Sequence, residues 1–190
     1  MNTQIILASA SPRRRELLNQ IGICYQVHAV DIDETPLMNE LALDYAQRIA
    51  NNKAITARQQ LNNTLPILAA DTVVVFNNTI MGKPKNYEDA YTMLVRLSGQ
   101  THQVYTAITL LGKQQHQIIN SSEVEFKELT ESEIKAYCQS NEPWDKAGSY
   151  AIQGLAALFI KRIHGSFSSI MGLPLFETAQ LLAREGIEVL

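Results

Sequence analysis

Residues Ser9-Ala10-Ser11-Pro12-Arg13-Arg14-Arg15 follow the short apolar run Ile5-Ile6-Leu7-Ala8, an order that reads as strand, hydroxyl-rich turn and helix start. Proline is preset for the first helical position and Ser11 before it is a good N-cap residue, so the helix begins near Pro12. Free N–H groups, the positive end of the helix dipole and first-turn arginines all attract an anion, and phosphate suits them best. Leu17, Leu18 and Ile21 define the apolar stripe of this helix; Arg14 falls within it, Arg13 at its edge and Arg15 on the far side. An inward guanidinium needs a carboxylate or phosphate partner. The alternative is a solvated basic first turn with structural ion pairs.

Asp71 interrupts a buried, valine-rich run, Ala69-Ala70-Asp71-Thr72-Val73-Val74-Val75. A carboxylate there requires a cation, hydrogen-bond donors or a raised pKa; it either serves a ligand site, caps a local turn or pairs with Arg14. Glu34 lies in an acidic turn, Lys53 interrupts a long helix, and Lys83 sits in a Gly-Lys-Pro turn. Singly, each reads as solvated surface. Together, Glu34 and Asp71 could hold a divalent cation while Arg13, Arg14, Lys53 and Lys83 bind phosphate oxygens, the kit for phosphoryl or nucleotidyl chemistry. No Gly-x-x-x-x-Gly-Lys-Ser/Thr loop occurs. In Lys146 to Gly154, glycines allow close backbone approach and Gln153 offers both a donor and an acceptor, as base recognition requires, although composition alone favours a tight turn with a surface glutamine.

The elements that must position these groups follow an α/β pattern. Strand Ile5 to Ala8 leads to helix Pro12 to Ile21, closed by Gly22, and a short strand spans Tyr25 to Val30. A polar helix runs from about Ala42 to Leu61, and a buried strand from Leu65 to Phe76. Asn86 caps a helix over Tyr87 to Leu97. Val104 to Leu111 and Gln117 to Phe126 form a hairpin, so the sheet is mixed. Thr130 and Glu133 make a capping box opening a helix to about Ser140. A strand over Ala156 to Ile163 and a helix over Leu175 to Arg184 complete the chain, with Met171 to Leu175 read as a plain helix-entry turn.

The 190 residues, 46% hydrophobic and 18% charged, suit a globular enzyme, and a net charge of −3 argues against a binder of nucleic-acid polymers or membrane surfaces. Cys24 and Cys138 have neither metal-ligand spacing nor disulfide density, so a reducing, cytoplasmic setting is expected. Met1-Asn2-Thr3-Gln4 carries no basic side chain and no long apolar run follows, so neither an export signal nor a membrane span is expected. The four histidines lack ligand spacing and read as structural or exposed.

These residues resemble the Maf-type nucleoside triphosphate pyrophosphatases over essentially the whole length. The motifs are Ser9 to Arg14, Asp33-Glu34-Thr35, Ala70 to Val74, Gly82 to Lys85, Lys146 to Gly154 and Gly172 to Leu175. The resemblance implies a single domain over 1–190 with a mixed, twisted sheet flanked by helices, an elongated two-lobed fold like the inosine triphosphate pyrophosphatases with a central cleft. It implies hydrolysis of a nucleoside triphosphate between its α- and β-phosphates, a divalent metal ion (Mg²⁺ or Mn²⁺), and a homodimer. Asp71 would be the general base, and Arg13, Thr72 and Gln153 would fall on positions tied to substrate choice. The glutamine, where a sister branch has glutamate, points to dTTP and UTP. Ser169 departs from the asparagine expected in many members. Because the family name derives from septum formation, a nucleotide-binding regulator of cell division is the rival; a nucleotidyltransferase is another.

Overall fold

A computed structural model describes residues 3–189. The apolar Ile5–Leu7 strand (β1) is joined by helix α1 (Pro12–Gln20) to a parallel neighbour, β2 (Tyr25–Val27). Helix α2 (Ala42–Gln60) precedes β3 (Ile67–Phe76), which pairs parallel with β1 and antiparallel with the short β4 (Thr79–Met81). Helix α3 (Tyr87–Leu97) leads to the long hairpin β5 (Thr101–Leu111) and β6 (Gln115–Phe126), and then to α4 (Glu131–Cys138). β7 (Ile160–His164), α5 (Phe167–Met171) and α6 (Leu175–Arg184) follow. The strands make one mixed sheet in the order β2-β1-β3-β5-β6-β7, with β4 beside the far end of β3. The fold is mixed α/β, as the alternation of patterns predicts.

Alternation along β3 sorts its side chains between two faces. Val73 and Val75 pack with Tyr45, Ala46, Ile49 and Ala50 of α2, while Leu68 and Ala70 pack with Leu17 and Leu18 of α1 and Leu181 and Leu182 of α6. Asp71 therefore belongs to the α2 face and Thr72 to the opposite one. Both lie where the sheet is interrupted. β1 stops pairing with β3 at Leu68 and β4 begins at Val74, so between these points one edge of β3 has no partner strand among the described residues. This notch lets side chains from both faces converge.

Several boundaries differ from the sequence expectation for identifiable reasons. The expected strand over Ala156 to Ile163 begins only at Ile160, because Leu155–Phe159 forms a 3-10 turn whose Leu155 and Ala156 N–H groups donate to the Glu142 carboxylate at 2.6 and 3.1 Å. β2 ends at Val27 rather than Val30, and the hairpin strands extend further than expected, from Thr101 and from Gln115. β4 was not expected, yet Asn77 and Asn78, both with positive φ, supply the two-residue turn that such a hairpin needs. The Asn86 cap and the Thr130/Glu133 capping box form as read.

Candidate active site

Ser11 occupies the N-cap position of α1 but makes no side-chain cap, contrary to expectation. Instead its own N–H donates to the Ser9 hydroxyl at 3.2 Å. The first-turn N–H groups of the helix are thereby left open for an anion. Helix geometry places the arginines as anticipated: Arg14 is buried, Arg13 half-buried and Arg15 exposed. The Arg14 guanidinium donates from Nε to the Gly172 carbonyl at 2.8 Å, from Nη1 to Ser9 Oγ at 3.1 Å, and more weakly from Nη2 to Thr72 Oγ1 at 3.4 Å. The Gly172 turn, expected to be only a helix entry, thus holds Arg14; a Cβ at this left-handed position (φ 115°) would stand 3.5 Å from Arg14 Nε. Arg13 Nε is buried without a partner among the described residues.

On the other face, Lys53 lies on the same side of α2 as the buried Ile49, Ala50 and Ala54. Its ammonium bridges the two predicted carboxylates, 2.7 Å from Glu34 and 2.8 Å from Asp71. The Asp71 side chain is 11% exposed and that of Glu34 43%. Glu34 is held by its backbone, because Tyr45 Oη donates to its carbonyl at 2.8 Å and Arg48 Nη2 donates to that of Thr35 at 3.1 Å. Asp71 does not form the hydrogen bond to Arg14 that was one alternative; Lys53 takes that place, and Arg14 acts on it only through space.

The two carboxyls are pushed in opposite directions. Burial raises Asp71 above the ordinary aspartate range, the charges of Lys53 and Arg14 opposing it. Burial also acts to raise Glu34, but the Lys53 hydrogen bond and charge, with Lys83 and Arg14 behind, bring it below its usual value. Lys83 is exposed on the turn after β4 yet close enough to act on Glu34. The Gly148 N–H donates to the Gly82 carbonyl at 3.1 Å, tying this turn to the Lys146 segment. Lys146, absent from the sequence-derived set, is lowered first by its own burial and next by the charge of Arg13, with Lys83 a smaller influence. Cations therefore gather from four separate segments around the notch.

Gln153 stands apart: it is exposed on the loop between the two 3-10 turns, Ala147–Ser149 and Leu155–Phe159, and makes no hydrogen bond among the described residues. Thr106 is absent from the sequence-derived set, and Ser169 enters it only as a departure from the expected asparagine. Each is fully buried, and Thr106 lies opposite Thr72 across the β3/β5 ladder. A threonine hydroxyl within the largely apolar run Val104 to Leu111, which also carries Thr109, was the available signal. Among the described residues no group of three or more His, Cys, Asp or Glu side chains could hold a metal ion, so Glu34 and Asp71 would need ligand oxygens to complete one. No helix among them is long and apolar enough to cross a membrane.

Comparison with known proteins agrees with the motif reading. The family model described as Maf-like protein matches residues 4–185. A dTTP/UTP pyrophosphatase of Pseudoalteromonas atlantica is 50% identical over 184 residues, covering 95% of this chain and 96% of that protein. A nucleoside triphosphate pyrophosphatase of Haemophilus ducreyi is 48% identical over 196 residues, covering 100% and 99%. Among solved structures, the Staphylococcus aureus Ham1 protein is similar with a TM-score of 0.47 at 17% identity, over 64% of this chain and 71% of that one. With its motifs in order and this match across nearly the whole length, the chain belongs to the Maf-like protein family.

Proposed function

We propose that this protein hydrolyses dTTP and UTP between the α- and β-phosphates, releasing the nucleoside monophosphate and pyrophosphate. The observation that carries the reading is the notch itself: an open helix N-terminus and a partnerless Arg13 Nε stand on one side, and two carboxylates sharing Lys53 on the other. The relatives named as dTTP/UTP pyrophosphatases support the same chemistry.

The triphosphate lies against the α1 N-terminus, where Ser9, Ser11 and Arg13 meet its oxygens and Arg14 lends charge from behind. Lys53, Lys83 and Lys146 balance the remaining phosphate charge. Asp71 takes a proton from the attacking water, a role suited to a buried carboxyl with a raised pKa beside a partner kept anionic. The water oxygen bonds to the α-phosphorus, the bridging oxygen leaves with pyrophosphate, and the proton stays on Asp71. Glu34 and Asp71 suit Mg²⁺ or Mn²⁺, hard cations commonly bound through one or two carboxylates and substrate phosphates; bound there, such an ion supplies Lewis-acid polarisation and charge neutralisation. The amide of Gln153, unpaired among the described residues, is available to read the base, whereas the Thr72 hydroxyl is engaged by Thr106 and Arg14 and bears on substrate choice through the cradle it helps to hold. The sparse cysteines, without disulfide density, support a reducing, cytoplasmic setting.

Replacing Asp71 by Asn tests the assignment. Turnover of dTTP with Mg²⁺ or Mn²⁺ should fall by at least about a hundredfold, the lower bound usual for a lost general base, while nucleotide binding persists. Wild-type turnover would remove Asp71 from catalysis. Binding by the wild-type protein without product in either metal would leave a nucleotide-binding regulator, and dependence on an added acceptor a transferase.

A further inference from the structure

We propose that Thr106 is a positioning residue, which fixes the direction of the Thr72 hydroxyl and so sets the Arg14 side of the triphosphate cradle. Thr106 Oγ1 lies 2.8 Å from the Ser169 carbonyl and 2.9 Å from Thr72 Oγ1. A carbonyl can only accept, and a threonine hydroxyl has a single proton. Thr106 therefore donates to Ser169 and must accept from Thr72. The Thr72 proton is committed inward, and only its lone pairs face Arg14 Nη2. Because a guanidinium can only donate, this is the one orientation of Thr72 that attracts Arg14 rather than opposing it.

The chain of contacts closes on itself. The Ser169 carbonyl also accepts the Gly172 N–H at 2.8 Å, and the Gly172 carbonyl accepts Arg14 Nε. Arg14 is thus gripped from Gly172 and Thr72, both of which lead back to the Thr106–Ser169 contact. No solvent reaches Thr106 or Ser169 to replace a lost partner, each being fully buried. Thr106 itself touches no ligand position, so its influence runs entirely through Thr72 and Arg14. The inference rests on reading the notch as a triphosphate site, and its test is arranged to separate the two.

Thr106→Val keeps the shape and removes the hydroxyl; Thr106→Ser keeps the hydroxyl and removes a methyl group; Thr106→Ala removes both. Calorimetric binding of inorganic triphosphate, without added metal, reads the cradle whether or not hydrolysis occurs. The relay predicts weakening of about tenfold in Thr106→Val, the usual worth of one net hydrogen bond, and retention within about twofold in Thr106→Ser. kcat/KM for dTTP should follow the same order. Thermal midpoints should not, because the Ser variant leaves a cavity in a packed core. Packing alone predicts the reverse activity order, with Val close to wild type and Ser impaired. That result, or equal binding by all variants, overturns the proposal. Should Thr106→Val not fold, Ser against Ala isolates the hydroxyl, and equal affinities there would overturn it as well. Intact binding behaviour with no hydrolysis in any variant would sink the catalytic reading while leaving the relay standing.

Discussion

Lowering the pH should destabilise this protein through His102, and the size of the effect follows from its surroundings. The ring is 2% exposed, its Nε2 lies 2.8 Å from Tyr150 Oη, and it stands edge-on to Phe126 and Tyr150 at 5.1 and 5.3 Å. Its Nδ1 is buried without a partner among the described residues, so protonation would place an unpaired donor and a charge in an aromatic cluster. Burial accordingly pushes the imidazole from 6.5 down to about 4. Below the unfolded value the denatured chain takes up a proton that the native one refuses, so stability falls with pH until the native ring also titrates. Between about pH 7 and about pH 4.5 this amounts to about 2 kcal/mol, a sizeable share of a typical domain's stability. Urea denaturation of the wild type and His102→Gln at the two pH values reads it as a difference of differences. Asp71, with a raised pKa and the opposite sign, is common to both proteins and cancels. The wild type should lose about 2 kcal/mol more than the variant on acidification; equal losses would refute the argument. Tyr150 belongs to the segment carrying Lys146 and Gln153, so activity should decline over the same range.

Lys53→Met removes the cation shared by Glu34 and Asp71, and because Lys53 opposes the rise in Asp71, the acid limb of the kcat/KM profile should move to higher pH. An unmoved limb, measured against pH with saturating metal, would detach Lys53 from the titrating group. Gly148→Ala places a Cβ at φ +66° and 3.0 Å from Val74 Cγ1. Left-handed strain and overpacking together should cost about 2 kcal/mol or more in a denaturation midpoint measurement, with no loss indicating that the loop can shift freely.

Much of the site was legible because charges in apolar settings demand partners. Asp71 in a valine-rich run and Arg14 on the apolar stripe of α1 each signalled a contact from one-dimensional pattern alone, whereas Lys53, which singly reads as a solvated lysine, lies on the buried side of α2 and is joined to Asp71 directly. The identity of the partners was less accessible. Arg14 is satisfied by the nearby Ser9 hydroxyl and by a carbonyl from residue 172 and a hydroxyl at 72, the last two across long sequence separations that periodicity does not encode. The notch was also hidden, because it arises from where β1 ends and the unexpected β4 begins. Leu155–Phe159 shows the limit of apolar runs as strand signals: a single carboxylate, Glu142, claims two backbone donors and turns the chain before it can join the sheet. Gln153, singled out by motif resemblance, is exposed on its loop with no hydrogen bond among the described residues.

Hydrolysis of dTTP in water enriched in heavy oxygen tests the central claim most directly. Attack at the α-phosphorus, with Asp71 accepting the proton, predicts that the label appears in dTMP and that the pyrophosphate is unlabelled. Label in the pyrophosphate, or release of inorganic phosphate and dTDP instead, would contradict it.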